Sequence, residues 1–191
     1  MEALLVSTGL VALAEVGDKT QLLAFVLAAR FKRPLPILLG ILAATLLNHA
    51  AAGALGAWLT TVVDPATLRW VLGASFIAMA IWILIPDEID DARAAQPRYG
   101  VFATTLVTFF LAEIGDKTQI ATIALAARYQ ALAPVVLGTT LGMMLANAPA
   151  VLLGERIAQR IPARWVHGVA ALIFAALGVA ALLGLGDAIG L

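Results

Sequence analysis

Glu15, Asp18 and Lys19 lie within the stretch AEVGDKTQ, Ala14 to Gln21; Glu113, Asp116 and Lys117 lie within AEIGDKTQ, Ala112 to Gln119. Their carboxylates, together with the amide oxygens of Gln21 and Gln119, are hard oxygen ligands of the kind that hold Mg2+, Ca2+ or Mn2+. The chain has no cysteine, which removes thiolate metal sites, disulfides and thiol nucleophiles. On a continuous helix Glu15, Asp18 and Gln21 fall at i, i+3 and i+6 on one inclined row, with Lys19 beside Glu15 at i+4. Glu113, Asp116, Gln119 and Lys117 repeat that arrangement. Gly17 lies between the first two acids, where a helix can kink or unwind and offer carbonyl oxygens. Four carboxylates against two ammonium groups leave two negative charges, which one divalent ion neutralises. Lys19 and Lys117 then act in charge balance or proton coupling, and protons on the acids replace the metal.

The supporting polar residues have two readings each. Thr20 and Thr118 either add hydroxyl ligands or bond back to their own helix. Asn48 and Asn147 are secondary ligands or gates, or packing residues beside the small residues Gly40, Ala44, Gly138 and Gly142. His49 relays protons or is a hydrogen-bonded interior histidine, and His167 is solvated at the start of the last apolar run.

The elements that carry these residues belong to a membrane protein. Of 191 residues 62% are hydrophobic, and the mean hydropathy is +0.99, well above soluble domains. Twelve basic and twelve acidic residues cancel, so no net field points to nucleic acid. Six apolar runs are expected to span the bilayer: Ala3–Arg30, Leu35–Leu59, Leu68–Ile85, Gly100–Arg128, Pro134–Gly154 and Arg164–Leu185. The start Met1-Glu2 is acidic and its apolar run continues into the motif, so the first segment is expected to be retained. Before Glu15 the stretch Ala3–Ala14 has only 12 residues, and after Gln21 the stretch Leu22–Ala29 has only 8. Neither spans alone, so the motif lies inside the slab. There, six ionised residues cost on the order of 15–20 kcal/mol before pairing or hydration, which marks them as functional.

A repeat organises the chain. At a constant offset of 98, Ala14–Arg30 and Ala112–Arg128 share 11 of 17 positions; Arg69-Trp70 answers Arg164-Trp165 at an offset of 95. The fold class is therefore all-α integral membrane, six transmembrane helices as two three-helix repeats, residues 1–85 and 100–191, joined by a polar cytoplasmic linker, 86–99. Three spans are odd in number, so the second repeat enters the membrane inverted, as in transporters with a midplane site between halves. Lys32, Arg33, Arg93, Arg98, Arg156 and Arg160 fall in loops on one side. By the positive-inside rule that side is cytoplasmic and both termini are periplasmic.

At these residues the chain resembles a known family: small membrane proteins with two E-x-G-D-[KR]-[TS] signatures, which include human transmembrane protein 165 and bacterial manganese exporters of the MneA type. Glu15-Val16-Gly17-Asp18-Lys19-Thr20 and Glu113-Ile114-Gly115-Asp116-Lys117-Thr118 both match in full. The resemblance implies export of Mn2+ or Ca2+ from the cytoplasm in exchange for protons, with the motif acids as metal ligands and no cofactor beyond the transported ion. The compact form resembles bacterial inner-membrane members, for which Mn2+ is the expected cargo. The partners implied are the metal ion, protons and the lipid bilayer, and a homodimer is left open. Three other classes fit some of the residues: an intramembrane aspartyl protease using Asp18 and Asp116, a passive cation channel, and an ion cluster that only holds helices together.

Overall fold

The computed structural model describes residues 1–85, 100–153 and 163–184. These form eight helices: α1 (Glu2–Glu15), α2 (Lys19–Phe31), α3 (Pro34–Val62), α4 (Pro65–Trp82), α5 (Gly100–Glu113), α6 (Lys117–Tyr129), α7 (Leu132–Leu153) and α8 (Ala163–Leu182). The linker 86–99 lies outside the described residues, as do Arg156 and Arg160.

Local chemistry sets the helix boundaries. Pro34 and Pro65 open α3 and α4 at positions where a missing N–H costs nothing. The Asp64 carboxylate caps α4 by accepting from the Thr67 amide at 3.0 Å. At the ends of α2 and α6 the chain turns through left-handed residues, Lys32 (φ 52°) and Gln130 (φ 48°). Their N–H groups donate to Ala28 and Ala126, so both halves leave the motif helix by the same turn.

Among the described residues, four helices are long and apolar enough to cross a membrane: α3, α4, α7 and the Arg164–Leu182 part of α8. Where single runs are expected over 3–30 and 100–128, the structure has pairs, α1 with α2 and α5 with α6. Each pair amounts to about 40 Å of helix at 1.5 Å per residue. The outer surface is apolar, with Leu5, Leu47, Leu145, Leu152 and Leu172 exposed alongside Trp58, Trp70 and Trp165. Arg69 lies over the Trp70 ring and Arg164 over the Trp165 ring, so the offset-95 repeat extends to side-chain contacts.

Packing interlocks the two halves through glycines. A Cβ on Gly40 of α3 would meet Phe102 O and Thr105 of α5, and one on Gly138 of α7 would meet Leu4 O and Ser7 of α1. Each contact is the other shifted by 98 residues. Farther along, Asn48 of α3 donates to Phe110 O of α5, and Gly142 of α7 abuts Thr8 and Ala12 of α1. Numbers rise together along both contacts, so α1 runs parallel to α7 and α5 parallel to α3. The helices α4 and α8 pair with each other in the antiparallel sense, Gly73 against Leu182 and Gly178 against Ile77, with Phe76 and Phe174 stacked between them.

Candidate metal centre

Each motif interrupts its helix at a glycine. Gly17 has φ 82° and Gly115 φ 75°, left-handed conformations that glycine adopts without strain. One consequence corrects the expectation of a continuous oxygen row at i, i+3 and i+6. Glu15 is the last residue of α1 and Asp18 is the N-cap of α2, with extended backbone (φ −74°, ψ 165°). Glu113 ends α5 and Asp116 is the N-cap of α6 with the same extended backbone (φ −77°, ψ 164°), and its carboxylate also accepts from the Thr118 amide at 3.4 Å, a cap bond that Asp18 lacks. The positive φ resets the helix direction between the two acids, so they share no helical row.

The break is held by the motif's own side chains. Gln21 Oε1 accepts from the Gly17 amide at 3.0 Å, and Gln119 Oε1 from the Gly115 amide at 2.8 Å. Both are variants of the capping box, in which a side chain three residues into the helix reaches back to the orphan amides. The other end of each amide crosses to the opposite half: Gln21 Nε2 donates to Ala146 O (2.8 Å) and Gln119 Nε2 to Asn48 Oδ1 (3.5 Å). Pro149 leaves the neighbouring Leu145 carbonyl without its helical donor, so this turn of α7 is already an irregular one. Asn147 bonds back to Met143 O at 3.1 Å and to Met143 Sδ, and among the described residues its buried Oδ1 has no hydrogen-bond partner.

Three carboxylates converge. Glu15, Glu113 and Asp116 each offer an oxygen within 4.8 Å of the other two, and all three are buried. An ion bound at about 2.0–2.6 Å from each ligand fits among oxygens separated by up to about twice that distance. Thr20 donates to Glu15 Oε2 at 2.6 Å and Thr118 to Glu113 Oε2 at 3.2 Å. The expectation that these threonines bond back to their own helix is therefore corrected. Neither hydroxyl bonds back to its helix, and each orients a glutamate. The second oxygens, Glu15 Oε1 and Glu113 Oε1, are buried with no hydrogen-bond partner among the described residues.

Asp18 is not among the three, so the expected convergence of four carboxylates holds for only three of them. It faces Lys117 Nζ at 3.7 Å, and Lys19 Nζ is in direct contact with Asp116 Oδ1. Each lysine thus pairs across the halves, with the aspartate of the other motif. The two pairs differ in exposure: the Lys19 side chain is 32% exposed and that of Lys117 only 2%. Lys117 also donates to Ile85 O, just past α4, at 3.5 Å.

The two histidines depart from expectation. His49 is fully buried and neither ring nitrogen has a hydrogen-bond partner among the described residues. His167, in the first turns of α8, lies 2.6 Å through Nε2 from the carbonyl of Val16, inside the first break. Sequence reasoning missed that contact. The available signal was asymmetry, since the counterpart at offset 95 is Leu72.

The family profile "Divalent cation/proton antiporter GDT1" matches residues 3–91 and again 101–187. A protein of Vibrio cholerae named "Putative manganese exporter" is 49% identical over 94% of this chain and 90% of its own length. A GDT1-like protein of Synechocystis is 32% identical over 86% of this chain and 89% of its own, and GDT1-like protein 5 of Arabidopsis thaliana is 27% identical over 90% and 91%. No solved structure matches. With both halves matched and with the doubled acidic break that a cation site needs, the chain belongs to the GDT1 family of divalent cation/proton antiporters.

Proposed function

We propose that this antiporter exports Mn2+ from the cytoplasm in exchange for protons, and that Glu15, Glu113 and Asp116 are its metal ligands, with Asp18 exchanging in from the Lys117 pair. The observation that carries the reading is the pair of fully buried glutamates whose second oxygens have no hydrogen-bond partner among the described residues, with carboxylate oxygens within 4.8 Å of Asp116. A buried acceptor without a donor is costly, and a cation or a proton supplies what is missing. Both species serve the same oxygens, so they compete, and competition for shared ligands is the basis of exchange. Lys19 and Lys117 hold the aspartates when no ion is present. An arriving dication displaces ammonium from carboxylate.

Gln21 and Gln119 brace the breaks in this reading, because each amide oxygen already serves a glycine N–H. Asn48 supports Gln119, and Asn147 remains the candidate gate on α7. The two α-helix termini that end at Glu15 and Glu113 add partial negative charge toward the site, while Asp18 and Asp116 sit at positive N-termini. This is the broken-helix arrangement by which transporters bind ions at the midplane.

The architecture we propose is six spans in two inverted halves, residues 1–85 and 100–191, with the broken pairs α1/α2 and α5/α6 each acting as one span. Support comes from direction: α1 is parallel to α7 and α5 to α3. Meanwhile Gly53, late in α3, packs on Leu132 and Val136, early in α7, and Ile37 and Ile41, early in α3, cluster with Ala150 and Val151, late in α7. With α3 and α7 antiparallel, α1 and α5 enter from opposite sides. A bacterial inner-membrane location with both termini periplasmic completes the proposal. The manganese assignment draws on the name of the Vibrio cholerae relative.

The family is one of transporters, which overturns the aspartyl-protease alternative. The geometry is in keeping with this: Asp18 and Asp116 each face a lysine of the other half. The test is metal uptake into inside-out vesicles, comparing Mn2+, Ca2+ and Mg2+ with and without an imposed pH difference. We expect Mn2+ uptake driven by an acid interior and lost in Glu113→Gln with the melting temperature retained. Flux indifferent to the pH gradient would indicate a channel, a preference for Ca2+ would reassign the cargo, and full uptake in Glu113→Gln would refute the ligand set.

A further inference from the structure

A helix that stops inside a protein leaves carbonyls without donors. At the first break, the Val16 carbonyl is answered from far along the chain: His167 Nε2 lies 2.6 Å from it, across 151 positions of sequence. A carbonyl only accepts, so this ring nitrogen carries the hydrogen. At the second break, the corresponding residue Ile114 has an exposed side chain. The repeat counterpart of His167 is Leu72, which has no donor. The His167 contact at the first break therefore has no copy supplied by the repeat.

The second arm comes from α4. Because α4 and α8 are antiparallel, the C-terminal end of α4 and the first turns of α8 lie at one end of the pair. From that end His167 reaches Val16 of the first motif, while Ile85 O accepts from Lys117 of the second. A single end of the outer pair therefore grips both motifs. The grip matches the exposure difference between the lysines, Lys117 being covered and Lys19 partly open. Glu15 adjoins Val16 at the end of α1, so whatever fixes the Val16 carbonyl fixes the direction of Glu15.

We infer that His167 is a positioning residue for the transported ion, and that the α4/α8 end is a one-sided latch that holds the first break, and with it Glu15, in the ion-binding geometry. The inference rests on the transport reading above. If the halves exchange access to the two sides, this contact must release, and the symmetry of the repeat provides no second latch to replace it.

The test uses the full-length chain and two readouts. Backbone hydrogen exchange over residues 15–21 and 113–119 is measured in metal-free detergent, and Mn2+ uptake is measured in inside-out vesicles. His167→Leu removes the donor and His167→Gln keeps one. A net hydrogen bond of about 1 kcal/mol corresponds to roughly fivefold, so we expect exchange at 15–21, and the KM for Mn2+, to rise about fivefold in His167→Leu. Exchange at 113–119 should not change, and His167→Gln should stay within about twofold of the parent. Unchanged exchange at 15–21 in His167→Leu, an equal rise at both motifs, or a His167→Gln as loose as His167→Leu would overturn the latch. Should His167→Leu not fold, His167→Asn, whose amide is too short to reach, takes its place against His167→Gln. A parent chain that carries no divalent cation would sink the transport reading, and the exchange data would still decide the latch.

Discussion

Replacing each motif lysine by methionine should separate the two cross-half ion pairs in a way that the repeat alone would not anticipate. Lys117 is buried and its ammonium lies 3.7 Å from Asp18. At an effective dielectric of about 20 that separation corresponds to roughly 4.5 kcal/mol of attraction, in line with the roughly 3–5 kcal/mol lost when one partner of a buried pair is removed. Lys19 contacts Asp116 more closely, yet a third of its side chain is open to the surroundings. Screening reduces that pair to about 1 kcal/mol, near the upper end for exposed pairs. Lys117→Met is thus expected to destabilise the chain about three to five times as much as Lys19→Met. The assay is reversible unfolding of the purified chain in mixed micelles without divalent metal, since bound metal would stabilise every variant by linkage. The double variant Asp18→Asn/Lys117→Met should recover to within about 1 kcal/mol of the parent, because removing both partners of a buried pair is often close to neutral. Equal losses for the two single variants, or a double variant as unstable as the sum of its singles, would refute the assignment of unequal burial and of the Lys117–Asp18 pairing.

Three further outcomes follow from the backbone and the loops. Gly142→Ala places a Cβ 2.6 Å from Thr8 O and 2.9 Å from Ala12 N, so it should force α1 from α7 and lower the melting temperature; Gly9→Ala, with nothing within 4 Å, should be neutral or stabilising by about 0.5–1 kcal/mol. Gly115→Ala meets open space but keeps φ 75°, so unfolding measurements should show about 1–2 kcal/mol of pure backbone strain, relieved in Gly115→Asn. The Thr67 amide holds the Asp64 carboxyl below its ordinary range. A depressed folded value means that the cap stabilises above the unfolded pKa and is lost as pH falls through the folded one, so melting curves of parent and Asp64→Ala should differ at neutral pH and converge in acid.

The acidic motifs were legible because three charges in a row of apolar residues have no cheap explanation, and the repeat was legible because its register survives in Gly40, Gly138 and the two Arg-Trp pairs. Gly17 was recognisable as a break, but the geometry around it was not: periodicity assumes one helix, and a left-handed glycine turns Asp18 from a member of a row into a cap. The cross-half pairing of Lys19 with Asp116 was out of reach, since local spacing sees only Lys19 beside Glu15. The role of Thr20 depends on a carboxylate five positions back, across the break, which no helical template brings near. His167 stayed hidden for a related reason. A single residue with no copy in the other repeat gives no pattern, and its partner is a main-chain oxygen, which sequence does not distinguish.

The glycine contacts between α1 and α7 have a consequence for biosynthesis. The face of α1 that Gly138 and Gly142 cover consists partly of Leu4, Thr8 and Ala12, and it meets its mate only after some 130 further residues have left the ribosome. Until then the amino-terminal segment waits in lipid with that surface open. Neither half is a self-sufficient folding unit, so a chain severed in the middle would assemble only if both pieces were made together in the same bilayer.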